Sequence, residues 1–273
     1  SSAASDVYKR QIYDLVQRLD LVYAGTPRNH PMDRAFANMV EKFDMPRALP
    51  EALFEGFVWD AMSKQYKTFD ELISYSARVA SSVGVMLCVI MGERRAEVLS
   101  RACDLGVAMQ LTNIARDIGE DAKEGRLYVP HEWFQQEGLD PEEFLRKPDK
   151  SESTVLFTKK LLGKAATLYH RSEAGIAYLP PKVRPAMFAA SQIYSAIRTE
   201  IKNNNYNDDF EIYLTGIGLN LLIDNRKTLD EPFKRVPQAI SRNYRFEDDK
   251  LKDLEKSHLS IFEFFSSYCE EIK

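Results

Sequence analysis

The chain has 273 residues, with 37 Lys and Arg against 41 Asp and Glu for a net charge of −4. With 44% hydrophobic and 29% charged residues, it has the composition of a globular protein, which argues against a disordered chain and against nucleic-acid binding driven by net basicity. Cys88, Cys103 and Cys269 form no C-x-x-C pair, and there is no N-glycosylation sequon, so a reducing, cytoplasmic setting fits better than secretion.

The opening segment SSAASDVYKRQ has no initiator Met and no apolar signal-peptide core. It reads as a leader foreign to the fold, with residues 1–11 set aside and one domain over 12–273. Ile12, Leu15, Leu19 and Val22 then recur at spacings of 3 to 4, which predicts a helix ending at Gly25-Thr26-Pro27. Further helices are expected over about 32–43, with Phe36, Met39, Val40 and Phe43 on one face, and over about 51–64. Thr68 and Glu71 form a capping-box pattern that opens a helix running to Met91, ended by Gly92. Within it, Val79 to Gly92 is a charge-free run of 14 residues, too short to span a bilayer and suited to a buried helix.

The next helix is expected over about 96–121, with Leu99, Cys103, Gly106, Val107, Leu111, Ile114 and Ile118 as its apolar stripe. Pro130, Pro141 and Pro148 punctuate an irregular stretch over 125–150, and helices resume at about 153–178 and 181–204. The pattern weakens from Tyr206 to Arg245, before an amphipathic segment at about 249–272. Strand-like alternation is nearly absent, so the fold class is all-α. The four histidines show no metal-ligand spacing, and Gly216-x-Gly218 lacks the third glycine of a dinucleotide fingerprint.

Chemistry concentrates in Gln110-Leu-Thr-Asn113-Ile-Ala-Arg116-Asp117-Ile-Gly-Glu120-Asp121, followed by Gly125-Arg126-Leu-Tyr128-Val-Pro130. Gln110, Asn113, Asp117 and Asp121 step by 3, 4 and 4 and so share one helix face. Two carboxylates one turn apart repel unless a cation lies between them. Amide and carboxylate oxygens are hard ligands of the kind Mg2+ takes, with substrate phosphate completing its shell, and Arg116 beside the stripe suits bidentate phosphate contact. An acidic run near a helix end is ordinarily a solvated face. Here the amides, Arg116 and the turn that follows weigh against that. Arg126 has two readings, a phosphate contact or a pairing with Glu120 or Glu124.

This stretch, continued upstream by Ala102-Cys-Asp-Leu-Gly-Val-Ala-Met, resembles the second aspartate-rich signature of the squalene/phytoene synthase family of head-to-head prenyl transferases. Asp60, Tyr66, Tyr75, Val79, Ala80, Val83 and Gly84 are similar to the family's other marked stretch. Gly175-Ile-Ala-Tyr-Leu-Pro180, Arg184, Ile193-Tyr194 and Tyr206 fit its later helices. The likeness covers about residues 12–206, is densest over 102–130, and is nearest there to the bacterial phytoene-forming members.

The resemblance implies a single-domain isoprenoid-synthase bundle around a central apolar cavity. It implies Mg2+, with Mn2+ as an alternative, held by Asn113, Asp117 and Asp121. It assigns catalysis to Asp117, Asp121, Arg116 and Tyr75, and substrate contact to Gln110, Asn113, Arg116, Tyr206, Val79, Val83 and Gly84. The implied reaction joins two geranylgeranyl diphosphates through a cyclopropyl intermediate to phytoene, with no NADPH. The alternatives are a squalene or dehydrosqualene synthase acting on farnesyl diphosphate, and a non-catalytic member serving in assembly. Prenyl diphosphates are the expected partners of a monomer that binds no nucleic acid, cytoplasmic or peripherally associated with a membrane.

The sequence also departs from the family pattern. The helix carrying the first aspartate-rich motif has no counterpart before Ile12, and Asp14 and Asp20 do not match its context. The chain as written is therefore expected to be catalytically impaired. Gln65, Ala77 and Ser81 replace residues usual in the other stretch, and the basic cluster expected after Tyr206 is missing from DDFEIYLTGIGLNLLI, so 207–273 match weakly.

Overall fold

A computed structural model describes residues 2–147 and 152–203 of the chain. Tyr206, the Gly216-x-Gly218 pair, Cys269 and the segment at 249–272 lie outside the described residues. Every regular element among those described is a helix, as the periodicity predicts.

Helices α1 (Ser2–Tyr23) and α2 (Pro31–Phe43) pack as a hairpin. Arg18 Nε reaches the two carboxylate oxygens of buried Asp33 at 2.9 and 3.1 Å, fastening one helix to the other. Helix α1 begins at Ser2, well before the expected start near Ile12. Helix α3 (Ala48–Ala61) starts three residues earlier than its pattern suggests. Pro50 sits within its first turn, where the missing N–H has no intrahelical partner to lose, and so it does not delay the start.

Helix α4 (Phe69–Ser76), a π-helical segment (Ala77–Ser81) and helix α5 (Ser82–Ile90) follow one another without a break. Thr68 Oγ1 accepts the Glu71 N–H at 3.3 Å, the expected cap, while the Glu71 carboxylate accepts from Lys67 N at 2.7 Å. The run Phe69–Ile90 is long and apolar enough to cross a membrane by length and composition. Its Leu72, Ile73, Tyr75, Val85 and Val89 are nonetheless buried in the core of this fold.

Helix α6 (Ala96–Lys123) is the central element, packed along α9 (Glu152–Ile176) and flanked by the π segment, α5 and α10 (Arg184–Asn203). Val107, Leu111, Ile114 and Ile118 of α6 bury themselves against the core that also holds Leu161, Ala165 and Leu168 of α9. Each fully buried side chain of this size contributes on the order of 1.5–3 kcal/mol. The proline-punctuated stretch folds into short helices α7 (His131–Gln136) and α8 (Pro141–Arg146), whose Trp133, Phe134 and Phe144 complete the core beside Phe157. Cys88 and Cys103 are buried and in no disulfide.

Candidate active site

The end of α6 is shaped by Gly125. Its left-handed φ of +78° lets its N–H reach Ala122 O at 3.0 Å and the Arg126 N–H reach Asp121 O at 2.8 Å, closing the helix in a Schellman turn. The chain then doubles back, burying Leu127 and Val129 and turning Tyr128 the other way. Backbone bonds from His131 N to Tyr66 O and from Glu132 N to Lys67 O, 2.9 and 3.0 Å, pin this returning segment beside the start of the α4 region.

That docking assembles a carboxylate cage. Tyr75 from α4 and Tyr128 from the turn both donate their hydroxyls to Asp60 Oδ1, at 2.8 and 2.9 Å. The three rings of Tyr66, Tyr75 and Tyr128 pack against one another, with centroids 5.2–6.3 Å apart. Burial pushes the Asp60 carboxyl up, opposed by the two hydroxyl bonds and by Arg126. Burial also pushes all three phenols well above their ordinary range, so at neutral pH they remain protonated.

Beside the cage runs the acidic stripe of α6. The Arg116 guanidinium grips the adjoining Asp117 in a bidentate pair at 2.6 and 2.6 Å, both side chains partly exposed. Asp121 has no such partner on its own helix face. Burial, and then Asp117 one turn away, push its carboxyl up to about 7, with Arg126 acting in the opposite direction. Arg126 itself forms a 3.3 Å ion pair with Glu124, one of its two expected partners, and Asp121 lies near enough to raise Tyr128. Cage and stripe therefore form one polar region at the C-terminal end of α6. Among the described residues no three His, Cys, Asp or Glu side chains converge as a metal cage.

From this region a cavity of about 410 Å³ runs along α6. Gln110 and Asn113 belong both to its lining and to the acidic stripe, and Val79, Ala80, Val83 and Gly84 form the wall opposite. Ser81 and Ser82, in the same run, are not part of it. Their hydroxyls turn back to Cys103 O at 2.8 Å and Arg78 O at 2.6 Å, satisfying polar groups inside the packed helices. Close helix contacts fix the wall: a Cβ on Gly56 would lie 2.4 Å from Val79 Cγ1, and one on Gly106 2.9 Å from the Ala80 carbonyl carbon.

Of the residues singled out by sequence, Val79, Val83, Gly84, Gln110 and Asn113 line the cavity, while Arg116, Asp117 and Asp121 lie beyond its lining, further along α6. Tyr75 sits in the cage, and Tyr206 is outside the described residues. Tyr169 is buried, its hydroxyl 3.0 Å from Thr112 Oγ1. Asp14 and Asp20 are engaged by Arg28 and Arg47, each at 2.5 Å. The sequence assigned no role to Tyr128, and it treated Asp60 and Tyr66 as matching letters only. Their joint signal lay in the two matched stretches meeting in space.

Known proteins resemble this chain in sequence and in fold. A family model described as squalene/phytoene synthase matches residues 2–217. The phytoene synthase of Cereibacter sphaeroides is 54% identical over 202 residues, 74% of this chain and 57% of that protein. The phytoene synthase of Rhodobacter capsulatus is 50% identical over 197 residues, 72% of this chain and 58% of that protein. The chain thus spans somewhat more than half the length of these relatives. A crystal structure of a dehydrosqualene synthase in complex with ligand superposes with a TM-score of 0.69 at 28% identity, covering 87% of this chain and 81% of that one. A squalene synthase of Alicyclobacillus acidocaldarius shares the fold, with a TM-score of 0.65 at 23% identity over 76% of this chain and 75% of that one. The chain belongs to the squalene/phytoene synthase family.

Proposed function

We propose that the chain serves the head-to-head condensation of two geranylgeranyl diphosphates to phytoene, a step of carotenoid biosynthesis. The observation that carries this is Gln110 and Asn113 standing at once in the apolar cavity and in the stripe that continues to Asp117 and Asp121. A diphosphate set at the stripe then has its hydrocarbon tail in the cavity. The names of the similar proteins from C. sphaeroides and R. capsulatus support the phytoene reading over its farnesyl alternatives.

The donor set fits a hard divalent cation such as Mg2+. A carboxyl pushed up to about 7 by burial and by a neighbouring carboxylate is one that a dication stabilises in its charged form. Asp117 and Asp121 would hold the ion, with the Asn113 amide oxygen beside them. Bound there, the metal supplies positive charge to a departing diphosphate. Arg116 adds a guanidinium suited to the same phosphate oxygens, at present turned onto Asp117. The apolar walls keep water from an allylic cation. The cage fixes the Tyr75 and Tyr128 hydroxyls, both protonated, beside the polar end of the site.

Calorimetric titration with geranylgeranyl thiolodiphosphate tests the assignment. Binding is expected with Mg2+ and is expected to weaken at least tenfold in Asp121→Asn. Equal affinity with and without the metal, or in the variant, would contradict it.

A further inference from the structure

The end of the cavity remote from the acidic stripe differs from the rest of its lining. Arg101 is the charged residue of the lining and lies nine residues before Gln110 and twelve before Asn113. At 1.5 Å per residue, it stands about 14 and 18 Å from them along the helix axis. Its neighbours at that end are Val98, Cys88 and Leu179, which form a small apolar cluster separate from the main core.

Arg101 is held on several sides. Its Nη1 is 2.7 Å from Asp104 Oδ2, Asp104 is fully buried, and the other carboxylate oxygen of Asp104 is 3.2 Å from Arg171 Nη2. Its stem lies flat against α9, where a Cβ on Gly175 would stand 2.4 Å from the Arg101 Cβ. An apolar cluster can repack around a longer guest at modest cost. Arg101 withdraws only by breaking its pair with a fully buried carboxylate, leaving Asp104 to Arg171 alone, and breaking a buried pair is unfavourable.

We propose that Arg101, clamped by Asp104, is the end stop that sets the longest prenyl chain the cavity accepts. This rests on the prenyl diphosphate reading of the site. A tail anchored by its diphosphate at Asp117 and Asp121 runs along α6 and meets Arg101. One more isoprene unit presses apolar carbon onto a guanidinium that has no room to move. Ser172 and Gly175 of α9 form the opposite side of the same end.

The test is calorimetric affinity of the full chain, with Mg2+ present, for the C15, C20 and C25 prenyl thiolodiphosphates. The unsubstituted protein is expected to bind C25 at least tenfold more weakly than C20. Arg101→Ala combined with Asp104→Ala removes stop and clamp together. It leaves Arg171, whose side chain is 21% exposed, free to reach water. This double variant is expected to gain about tenfold in C25 affinity relative to C20. An unchanged C25 to C20 ratio in a double variant with an intact melting transition would overturn the proposal.

Ser172→Leu is the second variant, and it keeps the clamp. Ser172 is buried, and its hydroxyl donates only to the Tyr169 carbonyl within its own helix, at 2.7 Å. Filling the end from α9 is expected to shift preference from C20 toward C15 by about tenfold. An unchanged ratio there would also overturn the end stop. Absence of binding for all three chains in the unsubstituted protein would overturn the reading of the site itself, and the end stop with it. Binding of all three with equal affinity would overturn the end stop alone.

Discussion

Gly106 lies so close to Ser81 that a Cβ placed on it would stand 2.6 Å from the Ser81 Cα. The contact is with backbone, so no side-chain rotation relieves it. It exists because the π-helical segment Ala77–Ser81 swells the helix toward α6 at the point where the cavity wall is built. Gly106→Ala is therefore expected to part the two helices, destabilising the protein by about 1–3 kcal/mol. Chemical denaturation reads the loss, and prenyl thiolodiphosphate affinity should fall with it. Unchanged stability would mean that the two helices do not meet as described.

The Asp60 cage makes a prediction about coupling. Tyr75 and Tyr128 donate to the same oxygen of a carboxylate whose pKa is raised chiefly by burial. Removing either hydroxyl leaves the other bond in place, while removing both leaves that oxygen without either phenol. Tyr75→Phe and Tyr128→Phe are each expected to cost about 1–2 kcal/mol, with the double variant costing at least about 0.5 kcal/mol more than their sum. A double-mutant cycle in urea measures the excess. Strict additivity would show that the two phenols act independently.

Acid stability follows from the α1–α2 clamp. The Arg18 guanidinium holds the Asp33 carboxyl below the usual carboxylate range, chiefly through its hydrogen bonds. A carboxyl depressed in the folded state contributes stability that is complete above its unfolded pKa of about 3.9 and is lost as pH falls through the folded value. Wild-type protein should thus lose more thermal stability between pH 5 and pH 3 than Asp33→Asn. Parallel melting curves over that range would remove the pair from the acid response.

Metal and proton compete at Asp121. Burial and then the neighbouring Asp117 push its carboxyl up to about 7, so a proton competes for it near neutral pH. Metal binding favours the ionised form, so Mg2+ should release protons near neutral pH and bind more weakly as pH falls. Calorimetry in two buffers of different ionisation enthalpy reads the release. No proton release, or tighter binding at pH 6 than at pH 8, would remove Asp121 from the ligand set.

Much of this was legible in the linear sequence because α6 is a single regular element. Steps of 3 and 4 residues put Gln110, Asn113, Asp117 and Asp121 on one face, and the helix delivers them there. The Thr68 cap was equally local. What escaped depends on distance in space. Tyr128 reaches Asp60 across 68 residues, through a turn whose direction Gly125 sets. The π segment carries no composition signal, and at its end the Ser81 and Ser82 hydroxyls bond backbone carbonyls inside the packed helices rather than facing the cavity. Arg101 had no motif at all, and its position at the cavity's end emerges only when α9 is laid against α6.

The most direct measurement is the mass of the hydrocarbon formed from an equimolar mixture of geranylgeranyl and farnesyl diphosphates in the presence of Mg2+. A C40 product dominating the extract, and vanishing in Asp117→Asn, is the expected result. A C30 product in its place would contradict the account.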